Sequence, residues 1–184
     1  MAEAAPEDFV AAVKALKESP AAPLIQRITE VAKANGSIHA EGIMSFLCNR
    51  IATVPPTFKV PLLFAADSII KQLRGDFVVY FSRLVHSFFL PAFNIVSAKD
   101  KLRMRKTMRT WEKEFVLDQR VTAPLAATVQ QWIVDNPDEV AAALAPSRTA
   151  PPKRAPAAGP GGMPMHGGMP GHGGMPGHGG MPMH

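Results

Sequence analysis

Asp67 and Lys71 stand four residues apart in Val-Pro-Leu-Leu-Phe-Ala-Ala-Asp-Ser-Ile-Ile-Lys-Gln-Leu (60–73), a segment whose apolar residues recur at helical spacing. Leu62, Ala66, Ile69 and Leu73 form an i, i+4, i+7, i+11 stripe that belongs to a core. At about 100° per residue, Val60, Phe64, Asp67 and Lys71 fall on the opposite face. Apolar side chains beside a carboxylate on a non-core face suit a peptide groove. The floor takes an anchor side chain, and the carboxylate accepts from a hydroxyl or a backbone N–H. The same spacing also makes a surface ion pair worth a few tenths of a kcal/mol, with Phe64 against a neighbouring helix. On spacing alone, the surface pair is the simpler reading.

A second charged segment lies further on. Lys99, Lys101, Arg103, Arg105, Lys106, Arg109 and Lys113 outnumber Asp100, Glu112 and Glu114 between 99 and 114. Met104, Met108, Trp111 and Phe115 supply a buried side at i, i+4, i+7, i+11, and the basic residues fan over the rest. Such a face is ordinarily a solvated one, and it also suits a phosphorylated or otherwise anionic partner. RNA is a further candidate, although these aromatics are spaced for a core and not for base stacking.

Catalysis has little to stand on. His39 and His86 are the two histidines before residue 146, with no neighbours at triad or metal spacing. Before the tail, Gly occurs only at 36, 42 and 75, so no phosphate loop is present. His86, in an apolar segment, reads as a hydrogen-bonded core histidine, and Cys48 as a small buried hydrophobe. The chain reads as a binding protein, not an enzyme, with no cofactor and no metal.

The elements that must position these residues are helices. Pro6 with Glu7 and Asp8 opens the first, and Pro23 opens a second that Asn35-Gly36 ends. Ser37 caps a third, and Thr57 to Arg74 makes a fourth that Gly75 closes. Asp76 caps an apolar fifth that belongs at the centre, and a short piece follows Pro91. A basic seventh runs from about Ala98 to Phe115. Val121 to Val134 makes the last full helix, with Pro124 in its first turn. No segment alternates with period two, and the short links make successive helices neighbours. The expectation is all-α: about eight short helices in a superhelix or compact bundle over 1–145.

The 184 residues carry a net charge of +5, of which +3 belongs to Arg148, Lys153 and Arg154 beyond residue 145. Residues 146–184 hold 11 Gly and 9 Pro with no acid and no aromatic, and end in four hexapeptides, GGMPMH, GGMPGH, GGMPGH and GGMPMH. Such a segment cannot bury enough apolar surface to fold, so a disordered tail is expected. Its Met and His side chains suit copper or nickel, but the Gly-Pro spacing builds no site. One cysteine excludes a disulfide framework and fits a reducing compartment. The longest apolar stretch, Leu84 to Val96, is shorter than the roughly 20 residues a membrane span needs, and the N-terminus is acidic, unlike a signal peptide. No membrane partner is expected.

Leu-Leu-Phe-Ala-Ala-Asp-Ser-Ile-Ile-Lys-Gln (62–72), Tyr-Phe-Ser-Arg (80–83) and Met-Arg-Thr-Trp-Glu-Lys-Glu-Phe (108–115) resemble the CTD-interacting domain (CID) of mRNA cleavage, polyadenylation and transcription-termination factors. The similarity runs from about Phe9 to Trp132. It implies an eight-helix right-handed superhelix related to the ENTH and VHS domains, and binding to the phosphorylated heptad repeats of the RNA polymerase II C-terminal domain. It also implies a nuclear location and other mRNA 3′-end processing factors as partners. Carried over, the family's aspartate motif falls on Asp67, Ser68 and Ile69, followed by Lys71 and Gln72, with Val60 and Phe64 contacting a tyrosine and proline. Arg103 and Lys106, with Arg109 beside them, become the candidates for a phosphoserine. The family's usual Tyr is Phe64 here, its Asn is Gln72, and its basic residue before Pro is Ala22. A trafficking adaptor of ENTH or VHS type, binding lipid or a sorting peptide, is the alternative on the same fold. A lipid-binding version calls for a basic amphipathic N-terminus, and this one is acidic.

Overall fold

Proline and acidic residues begin the helices, and left-handed residues end three of them. The computed structural model describes residues 4–18 and 21–145. Pro6 precedes α1 (Glu7–Lys14), whose first turn carries Glu7 and Asp8 against the positive end of the dipole. Pro23 lies in the first turn of α2 (Ala22–Asn35), which ends at Gly36 with φ 69°, a conformation that glycine adopts without penalty. A 3-10 turn (Ser37–His39) leads into α3 (Ala40–Thr53), followed by α4 (Pro56–Leu73) and α5 (Gly75–Ile95). Ser97 caps α6 (Ala98–Lys113): its Oγ accepts from Asp100 N–H and donates to the Asp100 carboxylate. Asp118 caps α7 (Gln119–Asp135) by accepting from Arg120 N–H at 2.7 Å, and Pro137 opens α8 (Pro137–Leu144). No strand occurs among the described residues.

The all-α superhelix is as expected, with several boundaries moved. Ser37 makes no side-chain cap and starts a 3-10 turn instead. The fourth and fifth helices are separated by Arg74 in the left-handed region (φ 56°), so Asp76 lies inside the first turn of α5. No separate piece follows Pro91. α5 continues through it, because Phe88, Phe89, Ala92 and Phe93 carry one buried stripe across the proline and outweigh the single backbone hydrogen bond it removes. At 21 residues, with an 18-residue stretch of mean hydropathy 1.2, α5 is by length and composition alone long and apolar enough to cross a membrane, unlike the shorter run visible in sequence. The Asp118 cap starts α7 two residues before Val121, which moves Pro124 out of the first turn, and α8 follows as a further helix. The tail from 146 lies outside the described residues.

α5 packs against α3, α4, α6 and α7, and its aromatics meet at Trp111. The Phe81 and Phe89 rings lie edge-on to the indole, with centroids 5.3 and 5.9 Å away. Met104, Met108 and Trp111 are buried, but Phe115 is 89% exposed. α6 ends at Lys113 and Phe115 takes φ 50°, so the helical period no longer applies at the fourth member of the stripe. His86 is exposed and not a core histidine, because it lies off the buried stripe of α5. Cys48 is buried, which pushes its thiol up to about 12. Lys59 is also buried. Its Nζ donates to the carbonyls of Ile51 (2.6 Å) and Ala52 (3.0 Å), placing a cation where α3 ends and its dipole is negative.

Candidate functional site

α4 and α6 pack side by side, so the charged residues of two segments 30 to 40 positions apart in sequence come onto one groove. The groove, about 270 Å³, is lined by Phe64, Asp67 and Lys71 from α4 and by Arg103, Lys106, Thr107 and Thr110 from α6. Asp67 is its most constrained member. Trp111 Nε1 donates to Asp67 Oδ1 at 2.7 Å, and Lys71 Nζ contacts the same oxygen at 3.0 Å. Both contacts fall on one carboxylate oxygen, which leaves Oδ2 to accept from a ligand.

Burial raises the Asp67 carboxyl above its ordinary value, opposed by Lys71 and by the indole N–H. The Asp67–Lys71 surface pair therefore exists, but as part of a larger network. Lys71 Nζ also donates to Thr110 Oγ1 at 2.7 Å and lies 3.8 Å from Glu114. On the other wall, Arg103 is held by Asp100 at 2.9 Å. Lys106 is exposed and has no carboxylate partner among the described residues. The groove thus offers an aromatic floor, a fixed acceptor and a cation for an incoming anion.

The remaining candidates separate from this group. Val60 (2% exposed) and Ile69 (0%) are core residues and present no surface to a ligand, so their assignment to the peptide site is corrected. Val60 has the right angular position but lies in the run 59–63 of α4, where every residue is buried. Ser68 faces α2, sharing a 2.8 Å hydrogen bond with Thr29 Oγ1, and the exposed Gln72 donates from Nε2 to Ser68 Oγ at 2.9 Å. Arg109 lies on the far side of α6, in a different groove. Trp111, Thr107 and Thr110 were not legible as site residues. Trp111 reads as core by period, and its bond to a residue 44 positions away leaves no signal in either helix alone.

The model of the CID domain family matches residues 7–125. The chain belongs to the CID domain family. An uncharacterised protein of Schizosaccharomyces pombe is 29% identical over 91 residues, half of this chain and 14% of that relative's length. The crystal structure of the RPR of Pcf11 superposes with a TM-score of 0.61 at 18% identity, covering 70% of this chain and 98% of that one. At that identity the likeness establishes the fold. Both α4 and α6, and hence the whole α4/α6 groove, lie inside the part of this CID domain that the family model matches, whereas α8 lies beyond it.

Proposed function

We propose that the α4/α6 groove binds the phosphorylated heptad repeats of the RNA polymerase II C-terminal domain, as a nuclear module in mRNA 3′-end processing and transcription termination. The observation that carries this reading is the convergence of Phe64, Asp67 and Lys106 on one groove of a CID domain. A proline-containing segment is already extended and loses little entropy when it turns into such a groove. Phe64 takes its apolar side chains, Asp67 Oδ2 accepts from a hydroxyl or backbone N–H and fixes register, and Lys106 with Arg103 faces a phosphoserine. Other 3′-end processing factors would be recruited alongside it. Nothing in this reading calls for catalysis or a cofactor.

Fluorescence anisotropy with three heptad peptides tests it: unmodified, phosphorylated on the second-position serine, and phosphorylated on the fifth-position serine. Saturable binding that favours a phosphorylated peptide is the expected result. No binding to any of the three would overturn the function.

A further inference from the structure

The face of α6 that looks away from α4 has its own composition. Leu102, Arg105, Arg109 and Lys113 follow one another at i, i+3, i+7 and i+11, a stripe about 140° from the Met104–Met108–Trp111 side that the core buries. Opposite them stand Ile133 of α7 and Val140 and Leu144 of α8, and together these residues line a groove of about 390 Å³. The floor is aliphatic and the rim is cationic. Lys106 and Thr110 form the ridge between this groove and the one that holds Asp67.

Three observations say what would cover it. The rim cations have no carboxylate partner among the described residues, and the groove is lined by no acid. Burial, and after it the neighbouring Arg109, pulls the Arg105 guanidinium below its ordinary range. The floor is Leu102, Ile133, Val140 and Leu144, with no aromatic face on which a base would stack, while Leu144 is 69% exposed. The chain's own residues beyond 145 have the wrong charge for the rim, since Arg148, Lys153 and Arg154 are their only charged side chains. We infer that the α6/α8 groove docks an acidic protein segment with aliphatic anchors, distinct from the heptad peptide. From Arg105 to Lys113 the rim runs ~12 Å, which matches about two turns of an amphipathic helix laid along it. Its aliphatic side chains fill the floor, and its carboxylates at helical spacing meet Arg105, Arg109 and Lys113.

The test uses the full 184-residue chain and a fluorescein-labelled Leu/Glu amphipathic peptide of about 12 residues. Saturable binding is expected, weakened about tenfold in Arg109→Glu and about tenfold in Leu144→Asp, and weakening as salt rises. Both substituted side chains are exposed, so neither change disturbs the core. Absence of saturable binding would overturn the inference. So would loss in Arg109→Glu with wild-type binding in Leu144→Asp, which means attraction by charge alone. Tighter binding of a single-stranded oligouridylate that displaces the peptide would assign the face to RNA instead. None of these outcomes involves a heptad peptide, so the α4/α6 assignment stands or falls separately.

Discussion

The indole N–H of Trp111 donates to the Asp67 carboxylate at 2.7 Å, joining the one aromatic of α6, fully buried, to the acceptor of the α4 groove. A side chain fully buried among Phe81 and Phe89 has little freedom, so the carboxylate it holds has little freedom either. Register at the site is thereby set from inside the core.

Trp111 thus has two separable roles. Trp111→Ala is expected to cost about 3–5 kcal/mol of stability, as removal of a fully buried aromatic does. Trp111→Phe keeps most of the packing and removes the donor. It should lose about 1–2 kcal/mol in urea denaturation and also weaken heptad binding in the protein that remains folded. Unchanged heptad affinity in Trp111→Phe would mean that the indole does not position Asp67.

Asp67→Asn should leave the fold intact and weaken a heptad peptide phosphorylated on its second-position serine by about ten- to a hundredfold, the loss of a charge-assisted hydrogen bond of about 1.5–3 kcal/mol. The pH dependence has a defined direction. Burial raises the carboxyl above its ordinary 3.8, so the folded chain binds its proton at a pH where the unfolded chain does not. The group's contribution to stability therefore falls as pH rises through that window. Binding runs the other way, because the ligand needs the carboxylate, and affinity drops as pH falls through the raised value. Titrations of both proteins check this: a pH slope that survives in Asp67→Asn belongs to another group.

Lys106→Ala should weaken a phosphorylated heptad peptide more than the unmodified one, with little change in thermal midpoint, since the side chain is exposed. Because an exposed charge is screened, the difference between the two peptides should shrink between low and high salt. Equal losses for both peptides would remove Lys106 from phosphate reading.

Lys59 makes a prediction about stability alone. Lys59→Met keeps the stem and takes the donor from the Ile51 and Ala52 carbonyls, for a loss of about 1–3 kcal/mol near neutral pH. Burial lowers the ammonium below its ordinary 10.5, so at alkaline pH the unfolded chain binds the proton more strongly than the folded one. Wild-type stability should gain, relative to Lys59→Met, as pH rises from the lowered value towards 10.5. Parallel urea midpoints for the two proteins across that range would show that the lysine is not held as described.

The helical periods, the prolines and the glycine at 36 determine an all-α chain and the order of its helices, because these signals act within a few residues along the backbone. The same periods put Phe64, Asp67 and Lys71 on one face of α4, and Arg103 and Lys106 on one surface of α6. Period alone does not say which faces a neighbour covers. Val60 shares the angular position of Asp67 and is buried because α4 is covered on every side from 59 to 63, while His86 sits in an apolar run and faces outward. Nor does it say where a period stops. Phe115 continues the core stripe in sequence, yet the helix ends two residues before it and a positive φ turns it out. Pro91 marks a break that the buried phenylalanines on either side override. The pairing of Trp111 with Asp67 was beyond any local pattern, since it exists only when α4 and α6 are laid together. Sequence thus determines what each helix offers. The packing of helices against one another, through burial that is long-range in the chain, decides which of those offers becomes a site.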